Sequence, residues 1–160
     1  DLIRLPKPTV LAMIMTLTLG GGSMSLASSD IRPLEMITSD LERHIAELQL
    51  NISMIENRML HLRETPKTND SLIQQLRDLD FKGWTLHEEQ WKLQLTHLRF
   101  AEELLKEVQK TGQGESHLFK KWGKHRQQYE NDLEAYRHQR HAIEEQRLQI
   151  EGKMIGRYLQ

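Results

Sequence analysis

Residues 34–64, LEMITSDLERHIAELQLNISMIENRMLHLRE, return an apolar side chain every three or four positions. Leu34, Ile37, Leu41, Ile45, Leu48, Ile52, Ile55, Met59 and Leu62 lie on one line. An α-helix has 3.6 residues per turn, so such steps keep all of these side chains on one face. Steps that alternate between three and four are the heptad pattern of a helix packed along its length against other helices. Asp30 suits the N-cap and Pro33 the first turn, which predicts a helix over about 31–64. TPKTND follows at 65–70. Pro66 stops one helix, and Asn69 or Asp70 can cap the next.

The same period continues downstream. Over about 71–111, one stripe holds Leu72, Leu76, Leu79, Leu86, Leu93, Phe100, Leu104 and Val108. A second stripe holds Trp84, Trp91, Leu95, Leu98 and Leu105. Two adjacent stripes make a face wide enough for two neighbours. Gly83 interrupts the first stripe and suggests a kink, or a tryptophan lying across the helix. TGQGES, residues 111–116, breaks the pattern, with Gly112 as a C-terminal cap and Ser116 as an N-terminal cap. Over about 116–159 the stripe is Leu118, Trp122, Tyr129, Leu133, Tyr136, Ile143, Ile150, Met154 and Tyr158, widened by Phe119, Leu148 and Ile155.

These patterns predict an all-α fold: an elongated antiparallel three-helix bundle of coiled-coil type over residues 30–160. Loops of about six residues favour antiparallel neighbours. If each loop is a simple turn, residue numbers sum to about 135 between facing positions of the first two helices, and to about 226 between the second and third. That arithmetic places His44, Trp91 and Tyr136 in one core layer. It also makes the 105–122 hairpin project beyond the start of the first helix.

Composition agrees with such a fold. The chain has 160 residues, 38% hydrophobic and 28% charged, with few glycines and prolines. With 22 Lys+Arg against 23 Asp+Glu, the net charge is −1, without the clustered basic excess of a nucleic-acid binder. Glu134, Glu144, Glu145 and Glu151 interleave with the arginines and histidines of 137–149, so no continuous positive stripe forms there either. No cysteine is present, which removes disulfides, thiolate metal sites and thiol nucleophiles.

The first thirty residues have a different character. Arg4 and Lys7 precede an apolar block at 10–19, then GGGSMSLA. Basic, apolar and small-residue zones in this order are those of a secretory signal peptide, with cleavage expected at Ala27–Ser28. The uncharged stretch 8–29 is also long enough for a membrane anchor, since a spanning helix needs about 20 residues. Both readings put residues 30–160 outside the cytoplasmic membrane, periplasmic or exported, or held at the inner membrane by residues 8–29.

Candidate chemistry is sparse. Glu134, His138 and His141 have helical spacing for sharing a metal, but no matching set of carboxylates stands on another helix, and they fall on the polar face. His87, between Trp84 and Trp91, reads as ordinary heptad packing. Trp122, His125 and Tyr129, with Lys120, Lys121 and Lys124 beside them, are the candidate partner contact, because the projecting hairpin leaves fewer helices to cover them. The same lysines, with Arg126, suit anionic lipid head groups. Eight histidines in an exported chain suggest pH sensing. No phosphate loop, nucleophile elbow or zinc signature occurs. The expected function is therefore non-enzymatic, without cofactor or metal: a scaffold or accessory subunit of a bacterial envelope assembly, such as a secretion system. Its partners would be other envelope proteins or a second copy. A periplasmic holdase chaperone and a membrane-anchored spacer are the alternatives.

Overall fold

The computed structural model describes residues 34–111 and 116–160, with the side chains of 35–110 and 120–160. The N-terminal apolar segment, the caps at Asp30 and Gly112, the side chain of Ser116, and the positions of Leu118 and Phe119 on the third stripe lie outside these. Three helices account for the regular structure: α1 at Leu34–Glu64, α2 at Ser71–Thr111 and α3 at Ser116–Leu159. They pack against one another as a bundle; α1 ends at Glu64 and α2 begins at Ser71, on either side of the break read at 65–70, while the start expected for α1 near 31 lies outside the described residues. Among the described residues no helix is long and apolar enough to cross a membrane.

The chain divides into two compact units, and the division falls inside continuous helices. The first unit takes in Asp1–Gln49 and Gln94–Tyr129. Its core is Ile37, Leu41, Ile45 and Leu48 from α1, Leu98, Ala101, Leu104, Leu105 and Val108 from α2, and Trp122 from α3. His97 is buried among them. The second unit takes in Leu50–Leu93 and Glu130–Gln160. There α1 buries Ile52, Ile55 and Met59, and α3 buries Ile143 and Ile150. No residue of 71–93 is fully buried, although Leu72, Leu76, Leu79, Trp84 and Trp91 are half-buried. From Ile37 to Met59 the α1 stripe read from sequence is thus the buried line of the helix; Leu62 is half-buried and the Leu34 side chain lies outside the described residues. On α3 the stripe is interrupted at its end: Tyr158 is exposed, and so are Leu148 and Ile155. Gly83 makes no kink. The helix runs through it, and a Cβ there would meet Ile143 Cγ2 at an ordinary 4.0 Å.

The expected alignment of α2 with α3 holds in each unit. His97 faces Tyr129 in the first, and Asp80 and Asp70 face Arg147 and Arg157 in the second. The alignment of α1 with α2 differs from the expectation. Lys92 Nζ lies 3.4 Å from Glu56 and the Arg63 guanidinium 5.1 Å from the Phe81 ring centroid in the second unit. Gln109 Nε2 donates to Thr38 Oγ1 at 3.2 Å in the first. These pairs sum to about 146 rather than 135, an offset of about three turns, or ~16 Å at 1.5 Å per residue. The described end of α2 is therefore level with the described start of α1, because Thr38 is level with Gln109.

The cause is the connection. Residues 65–70 are not a tight turn but an extended strap that runs back along α2. Thr65 closes α1 through hydrogen bonds from its N–H to the Leu62 carbonyl and from its hydroxyl to the His61 carbonyl. Pro66 then holds the chain extended. Its carbonyl accepts from Arg77 Nη1 at 3.0 Å, and the Thr68 N–H donates to Gln74 Oε1 at 3.2 Å. An extended chain advances about 3.3 Å per residue, so six residues are enough to cover the offset.

The strap ends on Asp70. Its Oδ1 accepts from the N–H groups of Leu72 and Ile73, at 3.0 and 3.3 Å, and caps α2. Both carboxylate oxygens also accept from Arg157 of α3, at 2.8 and 3.0 Å. The Arg157 hydrogen bond, reinforced by those from Ile73 and Leu72, holds the carboxyl below its ordinary 3.8, at about 2.

Two outcomes are expected. Because the native chain lacks cysteine, a double variant Thr38→Cys/Gln109→Cys is bridged by a short bifunctional maleimide. Thr38→Cys/Thr96→Cys, level under the simple-turn register, is not. Thermal unfolding ranks wild type above Asp70→Asn, which loses the ion pair, and Asp70→Asn above Asp70→Ala, which also loses the cap. A lowered carboxyl pKa stabilises the fold above its unfolded value, so the wild-type advantage fades as pH falls from about 4 towards 2.

Candidate functional site

The most densely arranged polar groups lie inside the first unit. His97 and Phe100 are one turn apart on α2, while Trp122, His125 and Tyr129 follow one another along one face of α3. The alignment of the two helices makes these rings interleave. His97 stacks on Tyr129 with centroids 3.9 Å apart, on His125 at 4.8 Å and on Trp122 at 5.2 Å. Phe100 stacks on His125 at 4.1 Å and on Trp122 at 5.9 Å. Lys121 Nζ sits 5.5 Å above the Phe100 ring, a cation on a π face.

Burial dominates the electrostatics. His97 is 1% exposed, and among the described residues neither of its ring nitrogens has a hydrogen-bond partner. His125 Nε2 and Trp122 Nε1 are likewise buried without one. Loss of solvation disfavours an imidazolium here, and the neighbouring charges of His125 and Arg126 add to the effect. Together they push the His97 pKa down from 6.5 to about 4. Burial also lowers that of His125. Burial thus favours the neutral form of both imidazoles. Their rings are parallel to within 6°. Lone pairs lie in the ring planes, so stacked rings cannot aim them at one ion at the ~2 Å that metal ligation requires. Among the described residues no group of three or more histidines, aspartates or glutamates is placed to hold a metal.

Three of the sequence candidates, Trp122, His125 and Tyr129, are thus brought together, but inward. Trp122 is 1% exposed, and His125 and Tyr129 are half-buried. The reasoning that left them on a projecting hairpin fails with the register on which it rested. Lys120, Lys121 and Lys124 are exposed. The layer of His44, Trp91 and Tyr136 rested on the same register. Trp91 and Tyr136 fall in the second unit, where the α1 residue level with Trp91 is about Ile55, and His44 falls in the first. His44 is half-buried with its Nδ1 3.7 Å from Glu47. Trp91 stacks on His87 at 5.3 Å. Tyr136 is half-buried, and burial, with Glu89 and Asp132 nearby, raises its pKa.

Glu134, His138 and His141 are exposed, as expected, and form local pairs: Glu134–His138 at 3.4 Å, Glu134–Arg137 at 3.2 Å and His141–Glu145 at 3.3 Å. The residue that sequence reading missed is His97. Histidine is not counted as apolar, so it dropped out of a stripe that runs through Leu98 beside it. Pairing position 97 with Tyr129 by the α2–α3 alignment was the available signal.

No protein-family model matches the chain, and no curated protein or solved structure does so either.

A histidine with a lowered pKa stabilises the fold above its unfolded pKa, and that contribution is lost as pH falls from about 6.5 towards 4. His97→Phe keeps a ring in the stack and removes both unpartnered nitrogens. Urea midpoints of wild type should fall between pH 7.5 and 4.5, whereas the variant should lose on the order of 2–3 kcal/mol less over that interval. Parallel curves for the two proteins would contradict the assignment.

Proposed function

We propose that the protein is an exported, non-enzymatic coiled-coil protein that acts through protein–protein contact, as a scaffold or accessory subunit of a bacterial envelope assembly. One observation supports the contact reading above the others. Large apolar side chains stand exposed on helices whose cores are already filled. Leu148, Ile155, Tyr158 and Leu159 are 67%, 60%, 88% and 82% exposed on α3, and Met36, Leu50, Met54 and Leu60 are more than half exposed on α1. Exposed apolar groups clustered on one surface mark interaction sites on soluble proteins. The export reading rests on the sequence of the first thirty residues. A periplasmic holdase chaperone is the second reading, and the exposed Met36 and Met54 favour it, since flexible thioethers suit varied clients.

Crosslinking in the intact envelope, with mass determination of the mature N-terminus in the same sample, tests the proposal. The expected result is a chain beginning near Ser28, joined to a discrete and saturable partner. A chain with an intact N-terminus in the cytosolic fraction would overturn the export reading. Capture of many unfolded clients without saturation would favour the holdase.

A further inference from the structure

The last third of α3 carries two heptad lines, and only one of them faces the bundle. Ile143 and Ile150 are buried against the other helices. About half a turn around the helix runs a second line: Glu134, His138, His141, Glu145, Leu148, Gly152, Ile155 and Leu159. Its steps alternate four and three without a break. Every member is exposed. The first four are local acid–imidazole pairs. The last four are a contiguous apolar surface of large side chains around Gly152, where an added Cβ would meet nothing within 4 Å. A heptad seam turned to solvent is the docking surface of a further helix.

We propose that a second copy of this chain covers it, through antiparallel pairing of the two α3 seams. The proposal deepens the contact reading above. The order of large and small residues selects the orientation. In an antiparallel pair, each heptad position of one kind meets one of the other kind across the interface. Leu148 is then level with Leu159 of the second copy, and Gly152 with its Ile155. Symmetry repeats both contacts, giving four layers, all apolar, with each isoleucine in a gap left by a glycine. Rim groups are compatible as well. Glu151 is level with Tyr158 of the second copy and Gln149 with its Gly156, and Glu145 falls outside the layers. A parallel pair instead sets glycine against glycine, which leaves a void, and Glu145 against Glu145, which repels. The neighbouring arginines do not enter the seam, because Arg147 is held by Asp80 and Glu151, and Arg157 by Asp70. Three large apolar side chains and a glycine per copy make less than the ~800 Å² per partner of a standard interface, so the dimer is weak and reversible.

Sedimentation velocity on the full chain, from about 1 to 300 μM, is the test. A monomer–dimer equilibrium with its midpoint inside that range is expected. Leu148→Glu and Ile155→Glu each weaken it at least about tenfold, with unchanged helicity because both side chains are exposed. Gly152→Leu discriminates further. It fills the gap and weakens the specific pair, whereas non-specific apolar association would strengthen. Mixed Leu148→Cys and Leu159→Cys chains form a heterodisulfide in preference to either homodisulfide. A chain that stays monomeric at every concentration, as it would if its own N-terminal segment or an unrelated protein covered the seam, overturns the proposal. So does a dimer indifferent to Leu148→Glu, or a mixture in which the Leu148→Cys chains preferentially crosslink to one another. None of these outcomes bears on export or on envelope partners, which the crosslinking experiment reads separately.

Discussion

The extended strap at residues 65–70 sets the register of α1 on α2, and much of the interior follows from it. A tight turn would have left the end of α2 and the start of α3 with little cover. By running along α2 the strap sets α1 about three turns from the simple-turn register in the second unit, and in the first Thr38 is level with Gln109. Ile37, Leu41, Ile45 and Leu48 then join the α2 and α3 side chains of the first unit, where Leu41 and Ala101 are fully buried. In the second unit, the strap's hydrogen bonds to Gln74 and Arg77 satisfy backbone groups that an unsupported extended segment would leave to water. Asp70 finishes the connection by capping α2 and binding Arg157 at once.

Burial of the stack around His97 runs against simple expectation for a helical core. Unpartnered buried polar atoms cost about 1–3 kcal/mol each, and four are present: both nitrogens of His97, one of His125 and one of Trp122. Interleaved ring contacts, worth about 0.5–1.5 kcal/mol apiece beyond area burial, offset part of this. The balance holds only while the imidazoles are neutral. The first unit therefore couples packing to protonation, and its stability varies across the acid range rather than at neutral pH.

On α3 the same period serves two purposes. Ile143 and Ile150 hold the helix to the bundle, while Leu148, Ile155 and Leu159 project from the opposite side. A helix that is apolar on two faces is stable as a monomer only if one face tolerates water, and Glu134, Glu145 and their histidine partners lend it that tolerance along half of the outer line. Glycines at 152 and 156, with open space around them, lower helix propensity. Room for a neighbouring side chain is a physical reason for that sacrifice.

Helix content, helix bounds and the buried line of α1 are legible in the residues, because periodicity and capping are local and need no knowledge of neighbours. So is the α2–α3 alignment, which the short break at 112–115 leaves little freedom to shift. The α1–α2 offset is not, since a six-residue segment fits either a turn or a strap. Hydrogen bonds from Arg77 and Gln74, residues of another helix, choose between them. The burial of Trp122 follows the level at which α1 meets α2 in the first unit, which no local pattern carries. Local pattern determines which residues belong to helices and which faces are apolar. The level at which those faces meet is a long-range property, and only the packed chain decides it.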